Sequence, residues 1–366
     1  MKINLIFFLA RFGFGGAGNS IYRLASSLNQ KKFKIFIICL GNCAYEKSFK
    51  KKGINVYKLK ANRLIFSIFQ LKKLINKLIN PKNKNIFLSN INYTNILCSI
   101  LFGKDKNIKL IGIERTPLKE LEIYFDFIDF IKKNLLKILL KIFYSRFDRI
   151  VCNSKYISNY LKKKYNYESI WINPPSIIKN KITKYKYNDY NKNILNIVTV
   201  CRLSKEKRID QILYAIHKLH KKRFILHIVG DGYEKNKLKK LVKNLELVNN
   251  VKFHGLNKKI FPLLKKCNLY INSSYFEGFP NSVVEAANLG IPVIASQSHG
   301  GINEILLNGK CGTIYSKGYK NLASKIKKFS KNPKTFIDKA KMAKKNILRF
   351  NILNHKKKFE NLLKKL

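Results

Sequence analysis

In "VCRLSKEKRID", residues 200–210, Arg202 stands just past an apolar run and Lys207 follows five residues later. The run "LNIVTVC" reads as a buried strand, so both cations fall at its carboxyl end, and Asp210 opens the next helix, where an acid is favoured. Two cations at a strand end of an open parallel sheet suit a diphosphate. The chain has 74 Lys and Arg, however, so a merely solvated face stays an alternative for each. In "YFEGFPNSVVEAANLGIPVIAS", 275–296, Glu277 and Glu285 have seven residues between them and flank a Gly-Phe-Pro loop. With only 20 acids in the chain, two around one turn are notable. The structural alternative is local: Ser282-x-x-Glu285 reads as a capping box, with Glu285 in the first turn of its helix.

Glycine loops supply the second chemical signal. In "RFGFGGAGNS", 11–20, Gly13, Gly15 and Gly18 spell G-x-G-x-x-G between the strand-like "INLIFFLA" and the helix-like "SIYRLASSLNQ". That context belongs to dinucleotide-binding turns. An NAD(P) domain would also end its second strand on an acid. Here "IFIICLGN" ends on Cys39, Leu40, Gly41 and Asn42, and Glu46 comes only later. The oxidoreductase reading weakens. The physics of the loop survives: Gly15 and Gly16 let backbone N–H groups approach a phosphate or sugar at a helix N-terminus. A tight turn without a ligand is the alternative. "FILHIVGDGY", 224–233, makes a second such turn with Gly230, Asp231 and Gly232, though any tight strand-to-helix connection could use it.

The elements that must position these residues alternate between strand-like and helix-like from the start, which predicts parallel sheets with helices on both faces. Helices are expected near 64–79, from about 93, and over about 120–146. "INPPSIIKNKITKYKYNDYNKN", 172–193, breaks the rhythm with two prolines and a polar, Asn- and Tyr-rich stretch. The alternation then restarts, and Gly290 is placed to cap the helix "NSVVEAANLG". The expected organisation is a first domain over 1–178, a linker over 179–192, and a second domain over 193–345. Closing helices over 346–366 could pack back on the first domain.

Composition narrows the class. Apolar residues make up 46%, enough for two cores. The net charge of +54 is spread along nearly every segment. It fits compositional drift, an anionic membrane surface or an anionic substrate. A nucleic-acid binder would interleave basic residues with exposed aromatics, whereas Tyr and Phe here fall mostly in core-like positions, so no nucleic acid is expected. Seven Cys at irregular spacings, without C-x-x-C, point to a reducing compartment and to no zinc site. "MKINLIFFLA" reads as a first strand rather than a secretory signal, and no run of 18 apolar residues occurs. "FIDFIKKNLLKILLKIFYSR", 127–146, mixes a broad apolar face with Lys132, Lys133, Lys137 and Lys141. It reads as a helix packed on the sheet or as one lying in a membrane interface with its lysines snorkelling.

With these stretches in view, the chain resembles the retaining, nucleotide-sugar-dependent glycosyltransferases of family 4. The matching segments, in order, are "GGAGNSIYRLASSL", "RLSKEKRID", "IVGDGY" and "EGFPNSVVEAANLGIPVIAS…GGINEIL", the last joining an E-x7-E motif to Gly300–Glu304. "FDRIVCNS" and "INPPSI" resemble the run-up to the family's linker, and "RFNILNHKKKFENLLKKL" its closing helices. The resemblance implies an α/β protein of GT-B fold: two tandem doubly wound Rossmann-like domains with a cleft between them. The first would hold the acceptor and the second the donor.

The resemblance also implies roles. Arg202 and Lys207 would stabilise the departing diphosphate. Glu277 would sit by the sugar hydroxyls and Glu285 would bind the ribose. Backbone of Gly278, Phe279, Pro280, Asn281 and Ser282, with Gly15 and Gly16, would line sugar and phosphates. The Gly230–Gly232 turn, His254 and Gly255 would lie near the base. The family often has glycine where Cys201 and Arg208 stand. Many members carry a catalytic His where "GIERTP" has Glu114 and Arg115, while some that act on lipid-linked sugars have Glu-Arg there. These two are expected to meet the substrate.

The implied reaction moves a hexose or N-acetylhexosamine from a UDP-sugar to a glycan acceptor, lipid-linked, in polysaccharide, lipopolysaccharide or glycoprotein glycan assembly. It needs no cofactor and no metal, since fixed cations can stabilise the leaving group and "DFID" has the wrong spacing for Asp-x-Asp. The expected setting is the cytoplasm, at the inner face of the membrane.

Overall fold

The structure, a computed structural model, describes residues 2–178, 194–219, 224–256, 260–316 and 318–366; the expected linker, 179–192, lies outside them. Two compact units emerge, Met1–Ile178 with Phe350–Leu366, and Lys179–Arg349.

The first unit contains β1 (Ile3–Phe8), α1 (Gly16–Ser27), β2 (Phe33–Leu40), α2 (Glu46–Lys50), β3 (Asn55–Leu59), α3 (Ile68–Leu78), β4 (Asn85–Asn90) and α4 (Asn92–Phe102). Then follow β5 (Ile108–Glu114), α5 (Phe127–Phe143), β6 (Arg149–Cys152), α6 (Lys155–Tyr165) and β7 (Ile170–Trp171). The strands form one parallel sheet in the order β3-β2-β1-β4-β5-β6-β7. Helices cover both faces, so the central strands are continuous apolar runs rather than alternating ones. Along β1, Leu5 and Phe7 join the core beneath α1, while Ile6 and Phe8 join the core beneath α3 and α4. This is the two-residue period of a strand.

The last helix, α14 (Ile352–Lys364), belongs to this first unit although it ends the chain. Its Phe359, Leu362 and Leu363 are buried in the core that α1 covers. Asn351 caps it by accepting the Asn354 N–H at 2.8 Å, and the Phe350 carbonyl accepts from Ser176 and Ile177.

The expected helix over 120–146 is shorter as an α-helix. Short 3₁₀ turns at Leu118–Glu122 and Tyr144–Arg146 flank α5, and Asp126 starts it by accepting the Asp129 N–H at 2.7 Å. Only Leu136 and Leu140 of α5 are buried. Its lysines do not all snorkel. Lys133 turns inward to Asp129 and the Ile123 carbonyl, both at 2.6 Å, and Lys137 donates to the Tyr124 hydroxyl. Lys132 and Lys141 are exposed.

The second unit runs β8 (Leu195–Val200), α7 (Ile209–His217), β9 (Phe224–Val229), α8 (Lys235–Asn244), β10 (Val251–Phe253), α9 (Phe261–Leu264), β11 (Leu269–Asn272) and β12 (Phe276–Glu277). It continues with α10 (Asn281–Leu289), β13 (Val293–Ser296), β14 (His299–Gly300), α11 (Ile302–Ile305), β15 (Thr313–Tyr315), α12 (Tyr319–Lys331) and α13 (Lys334–Asn346). Its parallel sheet has the order β10-β9-β8-β11-β13-β15, and β12 pairs separately with β14. Ile197, Leu226, Ile228, Ile271 and Ile294 build the sheet side of its core. Gly290 ends α10 at φ +82°, the left-handed cap its sequence predicts.

Candidate active site

β8 is an inner strand of the second sheet, and the chain leaves its carboxyl end through Cys201 and the exposed Arg202 into a 3₁₀ turn, Lys205–Lys207. Arg208 follows in the left-handed region at φ +50°, a conformation that explains why a glycine would serve there. The turn aims Lys207 at Glu277, with Nζ to Oε1 at 2.9 Å and both side chains mostly buried. Ser274 Oγ at 2.6 Å and Asn272 Nδ2 at 3.3 Å donate to the same oxygen. Ser273 Oγ donates to the Lys207 carbonyl at 2.7 Å. Burial opposes the charge on Lys207, but Glu277 outweighs it and holds the ammonium above its usual range. The result is a fixed, protonated cation beside an oriented carboxylate, the arrangement that stabilises a developing anion.

The Gly230–Gly232 turn is tightly packed. A Cβ on Gly230, at φ +139°, would lie 1.8 Å from the Cys201 carbonyl oxygen; one on Gly232 would lie 2.2 Å from that of Leu203. The close approach is therefore to neighbouring backbone. These glycines let β9 lean on the loop that carries Arg202. Asp231 clips the contact, its carbonyl accepting from Leu203 N–H and its carboxylate from Gly232 N–H and Lys235.

Tyr270 ties three elements together. Fully buried on β11, its hydroxyl reaches Ser282 Oγ at 2.8 Å and the Val200 carbonyl at 3.3 Å. That contact corrects the capping-box alternative. Pro280 is the N-cap of α10, so Ser282 lies inside the helix and Glu285 stands beyond its first turn. Gly278, Phe279 and Pro280 are buried, and the Gly301 N–H donates to the Glu277 and Gly278 carbonyls. Asn281, Ser282 and Glu285 are partly exposed. His254 is exposed and lies 2.9 Å from His227 Nδ1, whose Nε2 is 3.1 Å from Asn196 Oδ1. Burial pushes His227 down to about 4, so it is neutral at pH 7. The Gly255 carbonyl accepts from Gly230 N–H.

In the first unit, Gly15 and Gly16 are exposed at the N-terminus of α1, and a Cβ on Gly15 would meet open space. Gly18 instead packs under the Gly13 carbonyl, 2.2 Å from where its Cβ would be. Glu114, expected at the substrate, is wholly buried. Its Oε1 accepts from Tyr144 and, at 2.6 Å, from Asn95, while Oε2 has no partner among the described residues. Burial raises its carboxyl to about 7 against those two donors. It joins β5, α4 and the 3₁₀ turn that follows α5. Arg115 is partly exposed; Nε donates to Asn90 at 2.9 Å, and burial lowers it to about 10, still charged at pH 7.

The sequence reading missed Asn272, Ser273, Ser274 and Tyr270. Three polar residues closing an otherwise apolar strand were the available signal, because ligand sites of open α/β sheets lie at carboxyl ends.

Two doubly wound parallel sheets in tandem, with charged groups gathered at a strand's carboxyl end, define an α/β protein of GT-B type. The family model described as "Glycosyltransferase Family 4" matches residues 14–179, and "Glycosyl transferases group 1" matches 182–349. The chain belongs to the family 4 glycosyltransferases. It is 32% identical over 210 residues to the O-antigen biosynthesis glycosyltransferase WclY of Escherichia coli, covering 55% of this chain and 54% of that one. It is 30% identical over 223 residues to an uncharacterized glycosyltransferase of Methanocaldococcus jannaschii, covering 58% and 53%. It thus spans about half the length of these relatives. Among solved structures, HepE of Anabaena in complex with UDP-glucose superposes with a TM-score of 0.81 at 17% identity, over 99% of this chain and 100% of that one. Sucrose-phosphate synthase of Thermosynechococcus elongatus gives 0.83 at 14%, over 100% and 99%.

Proposed function

We propose that this protein is a retaining glycosyltransferase. In this reading it moves a hexose or N-acetylhexosamine from a UDP-sugar to a lipid-linked glycan, in cell-surface polysaccharide assembly at the inner face of the cytoplasmic membrane. The observation that carries the reading is the buried Lys207–Glu277 pair at the carboxyl end of the second sheet, with Arg202 on the same loop. The bond from the anomeric carbon to the diphosphate breaks with its electron pair on the leaving group. Arg202 and Lys207 hold that charge, so neither metal nor cofactor is called upon. The acceptor oxygen bonds to the same face of the sugar, and its proton goes to the diphosphate. Glu277 orients the sugar, Glu285 binds the ribose, Gly15 and Gly16 line sugar and phosphates, and Arg115 meets the substrate. The UDP-glucose in HepE and the O-antigen assignment of WclY support the donor and the acceptor class.

Incubation with a panel of UDP-, GDP- and ADP-sugars and a lipid-linked acceptor, scored for released nucleotide diphosphate, tests it. Release from a UDP-sugar that depends on acceptor is expected. No release from any donor would sink the reading, and release from a GDP-sugar alone would change the base.

A further inference from the structure

Arg115 is a cation without a counter-ion. Burial lowers its guanidinium, and no neighbouring carboxylate offsets that. Nε donates to Asn90 Oδ1, the Nη groups have no partner among the described residues, and the side chain is partly exposed. The nearby acids are committed elsewhere. Glu114 turns inward to Asn95 and Tyr144, and Glu120 accepts from Asn92 at 3.2 Å. A guanidinium drawn partly out of water without a partner is costly unless a negative charge arrives from outside the chain.

The surroundings are built around that group. Arg115 leaves the carboxyl end of β5, between the ends of β4 and β6. Asn90, wholly buried at the end of β4, holds Nε with its oxygen and donates to the Phe8 carbonyl at 3.1 Å with its nitrogen. Ile91 then turns the chain at φ +75°, a region that β-branched residues rarely enter. Asn90 is thus held in place against local strain. Past β6, Asn153 donates to the Arg115 carbonyl at 2.9 Å. It is 6% exposed, and its Oδ1 has no partner among the described residues. α4 and α6 begin just beyond β4 and β6, and neither has an acid in its first turn. Their N-termini add partial positive charge at the same edge. His355, whose titration Arg115 also depresses, is pushed down to about 4, mainly by burial, so it is not a second cation there.

The place in the fold agrees. β1 and β4 are neighbours from which the chain runs to opposite sides of the sheet, to β2 and to β5. Open α/β sheets take ligands in the crevice at such a switch point.

We propose that Arg115, steadied by Asn90 and Asn153, binds an oxyanion of the acceptor, a phosphate or a carboxylate, so that the acceptor is an anionic glycan. This rests on the reading of the first unit as the acceptor side and adds to it the charge of the acceptor. A guanidinium fork takes two oxygens of a phosphate or carboxylate at once, which a neutral hydroxyl cannot match. The unmet Asn153 Oδ1 leaves the network one donor short, and a sugar hydroxyl beside the anion supplies it.

Calorimetry on the full chain tests the proposal, with UDP saturating so that the loop carrying Arg202 and Lys207 is occupied. The probes are inorganic diphosphate, methyl glucuronide and methyl glucoside at physiological ionic strength. At least one of the two anions should bind, and methyl glucoside should bind about tenfold more weakly or less. Diphosphate binding points to a phosphate-bearing acceptor, glucuronide binding to a uronic acid. Arg115→Gln should abolish the preference with unchanged melting and unchanged UDP affinity. Arg115→Lys keeps the charge but not the fork, and should retain part of it. In turnover with a lipid-linked acceptor, Arg115→Gln should raise the acceptor KM about tenfold and leave the donor KM unchanged. Equal affinity for charged and uncharged probes overturns the proposal, as does a preference that survives Arg115→Gln or a failure of both anions to bind. Binding of methyl glucoside alone, lost in Arg115→Gln, assigns the guanidinium to hydroxyls instead. Anion binding without nucleotide release from any UDP-sugar would sink the transferase reading alone; acceptor-dependent release without anion binding would sink this site alone.

Discussion

Lys207 and Glu277 share a site where most water is excluded, and two ions there cost desolvation unless their hydrogen bonds are complete. Three donors converge on Glu277 Oε1, which completes the hydrogen bonding of that oxygen. Arg202 is different: exposed, it can act on a ligand without supporting the fold. Each substitution to Ala should slow turnover at saturating donor roughly a hundredfold, on the order of 3 kcal/mol in the barrier. Lys207→Ala should also lower stability by roughly 3 kcal/mol, because it strands the Glu277 charge, whereas Arg202→Ala should melt like wild type. Turnover near wild type in both would remove them from the chemistry. Glu114 makes a pH prediction. Its carboxyl titrates near 7 in the folded chain, above its ordinary 4.5. Between those values the unfolded chain loses the proton and the folded chain keeps it, so stability falls as pH rises and the loss is complete above about 7. Glu114→Gln removes this term. Denaturant titrations should show the variant gaining on wild type between pH 4.5 and 8, by up to about 3 kcal/mol. A pH-independent difference would refute the assignment.

At the level of elements, the site depends on how three strand ends are held. Tyr270 joins β8, β11 and α10 through one hydroxyl, and the Gly230–Gly232 turn presses β9 on the loop after β8. Gly230→Ala would force a Cβ into the Cys201 carbonyl, at a φ that side chains rarely adopt. A loss of at least about 3 kcal/mol is expected, together with weaker donor binding as the Arg202 loop shifts. Gly15→Ala is the control. It meets open space at φ −77°, so its stability cost should stay below about 1 kcal/mol. Urea titration of the two variants compares them directly, and equal costs would mean that the β9 turn is not packed as described.

Across the whole molecule, the end of the chain completes the beginning. Phe359, Leu362 and Leu363 fill the core under α1, more than 300 residues after that helix in the sequence. Removing Phe350–Leu366 deletes four buried apolar side chains, Phe350, Phe359, Leu362 and Leu363, each worth about 2–3 kcal/mol. Their sum is comparable to the whole stability of a domain. The truncated chain should lose protease resistance within Met1–Ile178 first. Phe359→Ala, a milder lesion, should cost about 3–4 kcal/mol. Truncation that leaves this unit as resistant as before would show that α14 is dispensable.

The amino-acid sequence by itself determined the parallel α/β character, because strands buried on both faces must be apolar throughout and helices between them amphipathic. It also marked Arg202, Lys207, Glu277 and Glu285, since charges beside apolar strand ends and tight glycine turns are visible locally. What it left open was direction and contact. That Ser282 bonds Tyr270 rather than capping a helix, that Glu114 accepts from Tyr144, and that Gly230 packs on the Cys201 carbonyl all depend on partners from 12 to 30 positions away. The same holds for α5. Its periodicity announced an apolar face, but only packing decided that Leu136 and Leu140 would serve the core while seven other apolar side chains remain in solvent. A side chain's type is local information; what it touches is set by strand order and by the helices laid over it, and those exist only once the chain has folded.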